Sequence, residues 1–216
     1  MKRLYFWLKL LFFVSLCIIW INGIIEYSSE IFPFWVGLKG VLFSFGFLFY
    51  LIFLYFAFKK DWKRFFIYGS VSLIFYFLSS FFRTIKTIPH ILKTPLFYFH
   101  TTFSFLGYIF FISSFIEYVI EEKNKYFEFF LNFGLISWVI GIMVGSIWAD
   151  RAWGIWWNWD PKETTSLITA LFYSSFLSLR NKINLRWIKT LFLSLILFSF
   201  FLTFYGYKLL NLKTLH

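Results

Sequence analysis

Apolar runs of about twenty residues, separated by short polar or charged stretches, divide this chain from end to end. The first run, Leu4 to Ile25, follows a basic Met1–Arg3 and has no small-x-small cleavage site, so it is expected to stay as a first helix and not be removed as a signal peptide. A polar turn from Glu26 to Phe34, with Pro33, leads to a second span at about Phe34–Phe58, which ends in Lys59-Lys60-Asp61-Trp62-Lys63-Arg64. The third span is expected at about Phe65–Phe82, the fourth at about Leu96–Ile120 and the fifth at about Phe129–Trp148. The sixth covers about Glu163–Leu179 and the seventh about Ile188–Leu210. A longer connection, Arg83 to Tyr98, holds Pro89, His90 and Pro95. No internal repeat, low-complexity linker or second domain is visible. The pattern therefore predicts one all-α membrane domain over residues 1–216, a polytopic integral membrane helix bundle with about seven transmembrane helices and a Trp-rich external loop at about 148–165.

Composition agrees. Of the 216 residues, 60% are hydrophobic and 14% charged, with a mean hydropathy of +0.74, more apolar surface than a soluble domain of this size can hide. Aromatics reach 28%, including 36 Phe, most of which serve as lipid-facing filler. The formal net charge of +11 raises the question of a nucleic-acid partner, but the basic residues lie between apolar runs and not on one patch, so topology explains them better. With the N-terminus inside, the inner side collects Lys2, Arg3, Lys9, Lys59, Lys60, Lys63, Arg64, Lys123, Lys125, Arg180, Lys182, Arg186 and Lys189, thirteen basic residues against eight outside. The tryptophan loop and the C-terminus then fall on the outer side. A single cysteine, Cys17, excludes an internal disulfide, a Cys-rich zinc site and the C-x-x-C-H attachment signature of a c-type cytochrome.

The candidate chemistry gathers at the stretch from Trp148 to Thr165, which holds five of the eleven tryptophans: Trp148, Trp153, Trp156, Trp157 and Trp159. One indole at a membrane boundary is an anchor; five together make a surface wide and flat enough for a planar ligand. Asp160-Pro161-Lys162-Glu163 has the form of a helix start, with Asp160 as N-cap, Pro161 at the first helical position and Glu163 completing a capping box. A cap there does not exclude a ligand role. The three histidines, His90, His100 and His216, all fall near the outer face. His100 and His216, on different helices over an aromatic shelf, suit the two axial positions of an iron porphyrin, although a lone terminal or loop histidine is more often simply solvated. Arg151 and Lys162 flank the shelf and suit two propionates, or else are ordinary interfacial residues whose stems lie along the membrane. No Ser/His/Asp set, carboxylate pair or phosphate-cradling loop is visible, so no catalytic residue can be named.

The run Trp153-Gly154-Ile155-Trp156-Trp157-Asn158-Trp159-Asp160-Pro161-Lys162-Glu163-Thr164 closely resembles the WWD signature of the haem-handling proteins of cytochrome c biogenesis. Its Pro-Lys-Glu-Thr continuation resembles the CcsA/ResC branch (system II) more than the CcmC branch. The flanks agree: Leu96-Phe97-Tyr98-Phe99-His100 with Gly107-Tyr108 is similar to the segment carrying that branch's first external histidine, and Phe204-Tyr205-Gly206 with Leu215-His216 to the segment carrying its second. The resemblance covers roughly Pro89 to His216. It implies a protein that binds haem b non-covalently at the outer face and presents it for attachment to apocytochrome c, the haem-presenting part of a cytochrome c synthase. His100 and His216 would be the axial ligands, and Trp153, Trp156, Trp157, Trp159 and Asp160 would hold the ring. It further implies a membrane partner subunit of the CcsB/ResB type and a place in the bacterial inner membrane with the loop on the periplasmic side. One departure stands out: many relatives have a further histidine within the membrane, and no expected span here contains one. Three other readings stay open: a haem carrier or exporter that delivers to a separate ligase, a non-haem membrane scaffold, and an aromatic platform for a sugar or quinone head group.

Overall fold

The computed structural model describes residues 2–28, 37–83, 90–122, 124–183 and 185–203. Among the described residues seven α-helices follow one another: α1 (Lys2–Ser28), α2 (Gly37–Phe58), α3 (Trp62–Ser80), α4 (Pro95–Ile120), α5 (Lys125–Trp153), α6 (Pro161–Leu179) and α7 (Arg186–Phe201), with one 3-10 turn at His90–Leu92 before α4. They match the seven expected runs in order, and no strand occurs among the described residues. Four are long and apolar enough to cross a membrane: α1 over Tyr5–Ile25, α2, α4 and α5. The chain is an all-α polytopic membrane protein.

Two compact units divide the chain, residues 1–88 and 89–216. In the first, α2 packs along α3, and α1 joins them through its rings. Trp20 of α1 is fully buried; its indole Nε1 donates to the Ser72 hydroxyl at 2.8 Å, which in turn donates to the Gly46 carbonyl at 2.9 Å. A Cβ on Gly46 would fall 2.9 Å from the same indole, so the glycine makes room for it. Around this relay lies a ring cluster of Phe43, Tyr50, Phe53 and Phe65. Asp61 starts α3, accepting from the Arg64 backbone N–H at 3.3 Å and pairing with its guanidinium at 2.8 Å.

The second unit is built on α4 and α5, antiparallel neighbours joined by a tight turn. Thr94 caps α4, with Pro95 at its first position, and Asn124 caps α5 by accepting from the N–H groups of Tyr126 and Phe127. Their register is set by small residues. A Cβ on Gly107 would meet Trp138 at 3.1 Å and one on Gly141 would meet Oγ of Ser104 at 2.7 Å, whereas Gly134 stands at ordinary contact distance from Phe111 and has the Tyr173 hydroxyl as its nearest neighbour. One on Gly145 would come within 2.5 Å of His100, and one turn further Phe97 lies against Trp148. Each step of three or four residues along α4 thus meets an equal step back along α5. This close approach of backbones is how helices associate where lipid is the solvent.

Polar side chains tie α6 and α7 to this pair. Trp138 Nε1 donates to the Ser166 carbonyl at 3.1 Å, the Tyr173 hydroxyl to the Leu131 carbonyl at 2.8 Å, the Thr169 hydroxyl to Ser199 at 2.9 Å and the Tyr118 hydroxyl to the Arg186 carbonyl at 3.1 Å. Such bonds contribute on average about 0.6 kcal/mol each in a membrane protein. The larger share comes from packing of Tyr108, Phe111, Trp138, Tyr173 and Phe200, whose rings meet at 4.5–5.2 Å.

Candidate functional site

The tryptophan loop begins where α5 stops. Gly154, at φ 75°, takes the left-handed conformation that ends a helix without a Cβ clash, and its N–H donates to the Asp150 carbonyl at 2.7 Å. The loop closes at a complete capping box. Asp160 Oδ1 accepts the Glu163 N–H at 2.8 Å, and Glu163 Oε2 accepts the N–H groups of Asn158 at 2.7 Å and of Asp160 at 3.4 Å. The capping expected from sequence is therefore present, and the Glu163 carboxylate reaches one residue further, to Asn158, so the first turn of α6 holds the loop itself. Trp159 has φ 56°, a left-handed conformation that costs a non-glycine residue about 1–2 kcal/mol. The Thr164 hydroxyl, donating to the Trp159 carbonyl at 3.2 Å, helps hold it there. Strain kept by surrounding bonds is characteristic of functional loops.

This backbone turns the indoles outward. Trp159 is 67% exposed, Trp156 57% and Trp153 38%, while Trp157 is half-buried and meets Trp159 edge to face at 5.9 Å. The Trp157 indole N–H is buried and has no hydrogen-bond partner, an unsatisfied donor worth about 1–3 kcal/mol to any ligand oxygen that accepts from it. Trp148 differs from the exposed surface expected of all five: it is 4% exposed, inside the unit. Its Nε1 donates to the Ile91 carbonyl at 3.3 Å, and Phe97, His100 and Trp153 pack around its ring.

His100 lies in the second turn of α4. Its Nδ1 is 2.8 Å from the Gly141 carbonyl oxygen. A carbonyl can only accept, so Nδ1 carries the hydrogen, and in the neutral ring the lone pair is on Nε2. The ring stacks parallel to Trp148, at 3° and 6.3 Å between centroids, and Trp148 meets Trp153 edge to face at 6.1 Å. The structure thereby connects His100, 53 positions away in sequence, to the first tryptophan of the loop through one buried indole. His90 is exposed in the 3-10 turn, next to the residue that takes the Trp148 N–H. Arg151 is exposed in the last turn of α5, Lys162 is half-buried in the first turn of α6, and Asp160 is buried as the cap. His216 lies outside the described residues. Among the described residues no group of three or more His, Cys, Asp or Glu is placed to hold a metal ion.

What the sequence reading missed is the role of α5 in seating His100. The signal was present as Gly141 and Gly145, four apart inside an apolar run, a spacing that marks close approach on a membrane helix.

Compared with known proteins, the chain matches the family described as Cytochrome C assembly protein over residues 4–216. The match takes in the first 88 residues, where the sequence reading found only hydrophobic spans in common. Among curated relatives, Cytochrome c biogenesis protein CcsA of Cyanidium caldarium is 50% identical over 60 residues, 28% of this chain and 20% of the relative. The protein of that name from Fagopyrum esculentum subsp. ancestrale is 36% identical over 80 residues, 37% of this chain and 25% of the relative. That from Prochlorococcus marinus is 49% identical over 47 residues, 22% and 15%. The matched stretches thus span about a quarter or less of these relatives' length.

Proposed function

As the chain belongs to the cytochrome c assembly protein family, we propose that it binds haem at the outer membrane face, between His100 and the tryptophan loop, and presents it for attachment to apocytochrome c. The observation that carries this reading is the seat of His100. An imidazole whose Nδ1–H is bound to a buried carbonyl carries its lone pair on Nε2, the arrangement that metal-ligating histidines commonly have. The outward indoles of Trp153, Trp156 and Trp159 supply apolar area for a porphyrin face, and the Trp157 N–H is a donor in want of an acceptor. His216 is the proposed second axial ligand, and Arg151 and Lys162 the proposed propionate partners. A membrane partner of the CcsB/ResB type and a bacterial inner membrane with the loop outside complete the proposal.

In this reading the chain's own residues orient and do not react. His100 would hold the iron through one nitrogen, the indoles would hold the ring against the loop, and the capping box keeps the indoles in place. Bound haem would supply the vinyl groups to which the thiols of the substrate add.

The test is the visible spectrum of the full chain purified in detergent from haem-replete cells with its partner, oxidised and dithionite-reduced, beside His100→Ala and His216→Ala. A low-spin b-type spectrum that weakens or turns high-spin in both variants is the expected result. A colourless wild type would reject the reading; colour unchanged in both variants would reject the ligand assignment.

A further inference from the structure

We propose that Gly141 and Gly145 are positioning residues for His100, holding its imidazole in the Nδ1–H tautomer so that α5, and not the loop, sets which nitrogen carries the lone pair. As a statement about an iron ligand this rests on the haem reading above; as a statement about the tautomer it stands by itself.

The antiparallel register makes the seat. Ser104 of α4 lies on Gly141, where an added Cβ would approach its Oγ to 2.7 Å and its backbone N to 3.0 Å. One turn earlier on α4 and one turn later on α5, His100 therefore falls on Gly145. A Cβ there would stand 2.5 Å from Nδ1 and 2.7 Å from Cε1, distances no real Cβ tolerates. These atoms belong to a flat ring with a backbone bond on one side and an indole on another, so the ring cannot yield by a small rotation. The bare Gly145 is what lets the imidazole lie close enough to α5 for Nδ1 to reach the Gly141 oxygen at 2.8 Å. That oxygen is one turn before Gly145, so it also serves the helix ladder, and a carbonyl has two lone pairs to serve both. Trp148, one turn beyond Gly145, forms the parallel wall and is itself held by the Ile91 carbonyl and by Phe97.

A hydrogen bond to the non-ligating nitrogen fixes the tautomer and raises the basicity of the other nitrogen; losing such a partner costs about 10–100-fold in metal affinity. The role differs from helix packing alone. Gly134, roughly 16 Å along the same helix, is also a close-approach glycine but faces Phe111 and Tyr173.

The first measurement needs no variant but an assignment. The full chain, haem-free and labelled with 15N-histidine, gives signals from three histidines, and His100 is the one missing in His100→Ala. Nδ1 protonated and Nε2 unprotonated is the expected result; a proton on Nε2 overturns the proposal. Next, Gly145→Ala and Gly134→Ala are compared. Gly145→Ala is expected to shift the His100 nitrogen signals and to weaken haem binding about 10–100-fold with a low-spin to high-spin change, whereas Gly134→Ala leaves both readouts as in the wild type. Equal effects of the two alanines, or none from Gly145→Ala, would reduce the glycines to packing and overturn the proposal. A wild type with the expected tautomer that binds no haem would remove the functional reading while supporting the positioning.

Discussion

The two compact units are built from the same kinds of residue and use them differently. In residues 1–88 the aromatic side chains bury one another, and the Trp20 indole spends its N–H on a serine hydroxyl inside the cluster. Among the described residues of 89–216, five aromatic or imidazole N–H and O–H groups reach backbone carbonyls of other segments: Trp138 to Ser166, Tyr173 to Leu131, Tyr118 to Arg186, Trp148 to Ile91 and His100 to Gly141. A serine hydroxyl can rotate to follow its donor, whereas a helix carbonyl is fixed in place. The second arrangement therefore determines ring orientation, and orientation is what a ligand site requires. Aromatic content alone does not separate the two units; the acceptors do.

Three substitutions test this contrast, in order of falling effect. Trp20→Ala removes a fully buried indole from the first unit and should cost about 3–5 kcal/mol in reversible detergent unfolding. A cost below about 1 kcal/mol would mean that this indole does not anchor the first unit. Glu163→Ala removes the carboxylate that holds both Asn158 and Asp160 and should cost about 1 kcal/mol. Amide exchange at those two positions should quicken while the Gly154 amide, capped from α5, stays protected; uniform quickening would mean that the loop is held from elsewhere. Trp159→Gly should change stability by less than about 1 kcal/mol, because relief at a left-handed position offsets the lost ring contact with Trp157. A loss several times larger would show that the indole packs more than it strains.

Much of this was readable beforehand. The first six runs begin and end within about five residues of their helices, because a bilayer imposes one length and charge marks the exits, while the expected end of the seventh, Leu210, lies outside the described residues. The capping box at Asp160 and Glu163 was readable as well, since a cap is an interaction over three residues. The strain at Trp159 was not, because it comes from bonds to Glu163 and Thr164 and not from any preference of tryptophan. Nor was the burial of Trp148: beside four other tryptophans it reads as a fifth member of one surface, and only its position opposite Phe97 and His100 turns it inward.

Local order along the chain settles that this protein is an all-helical membrane bundle and where its helices start. Those follow from hydropathy, charge and caps, all of short range. Which indoles face out and which nitrogen of His100 carries the hydrogen depend on two antiparallel helices meeting at one register, through glycines 41 and 45 positions away from that histidine. Residues that distant in sequence become neighbours only through packing, and a difference of one Cβ at Gly145 is invisible to hydropathy although it decides where the ring can lie.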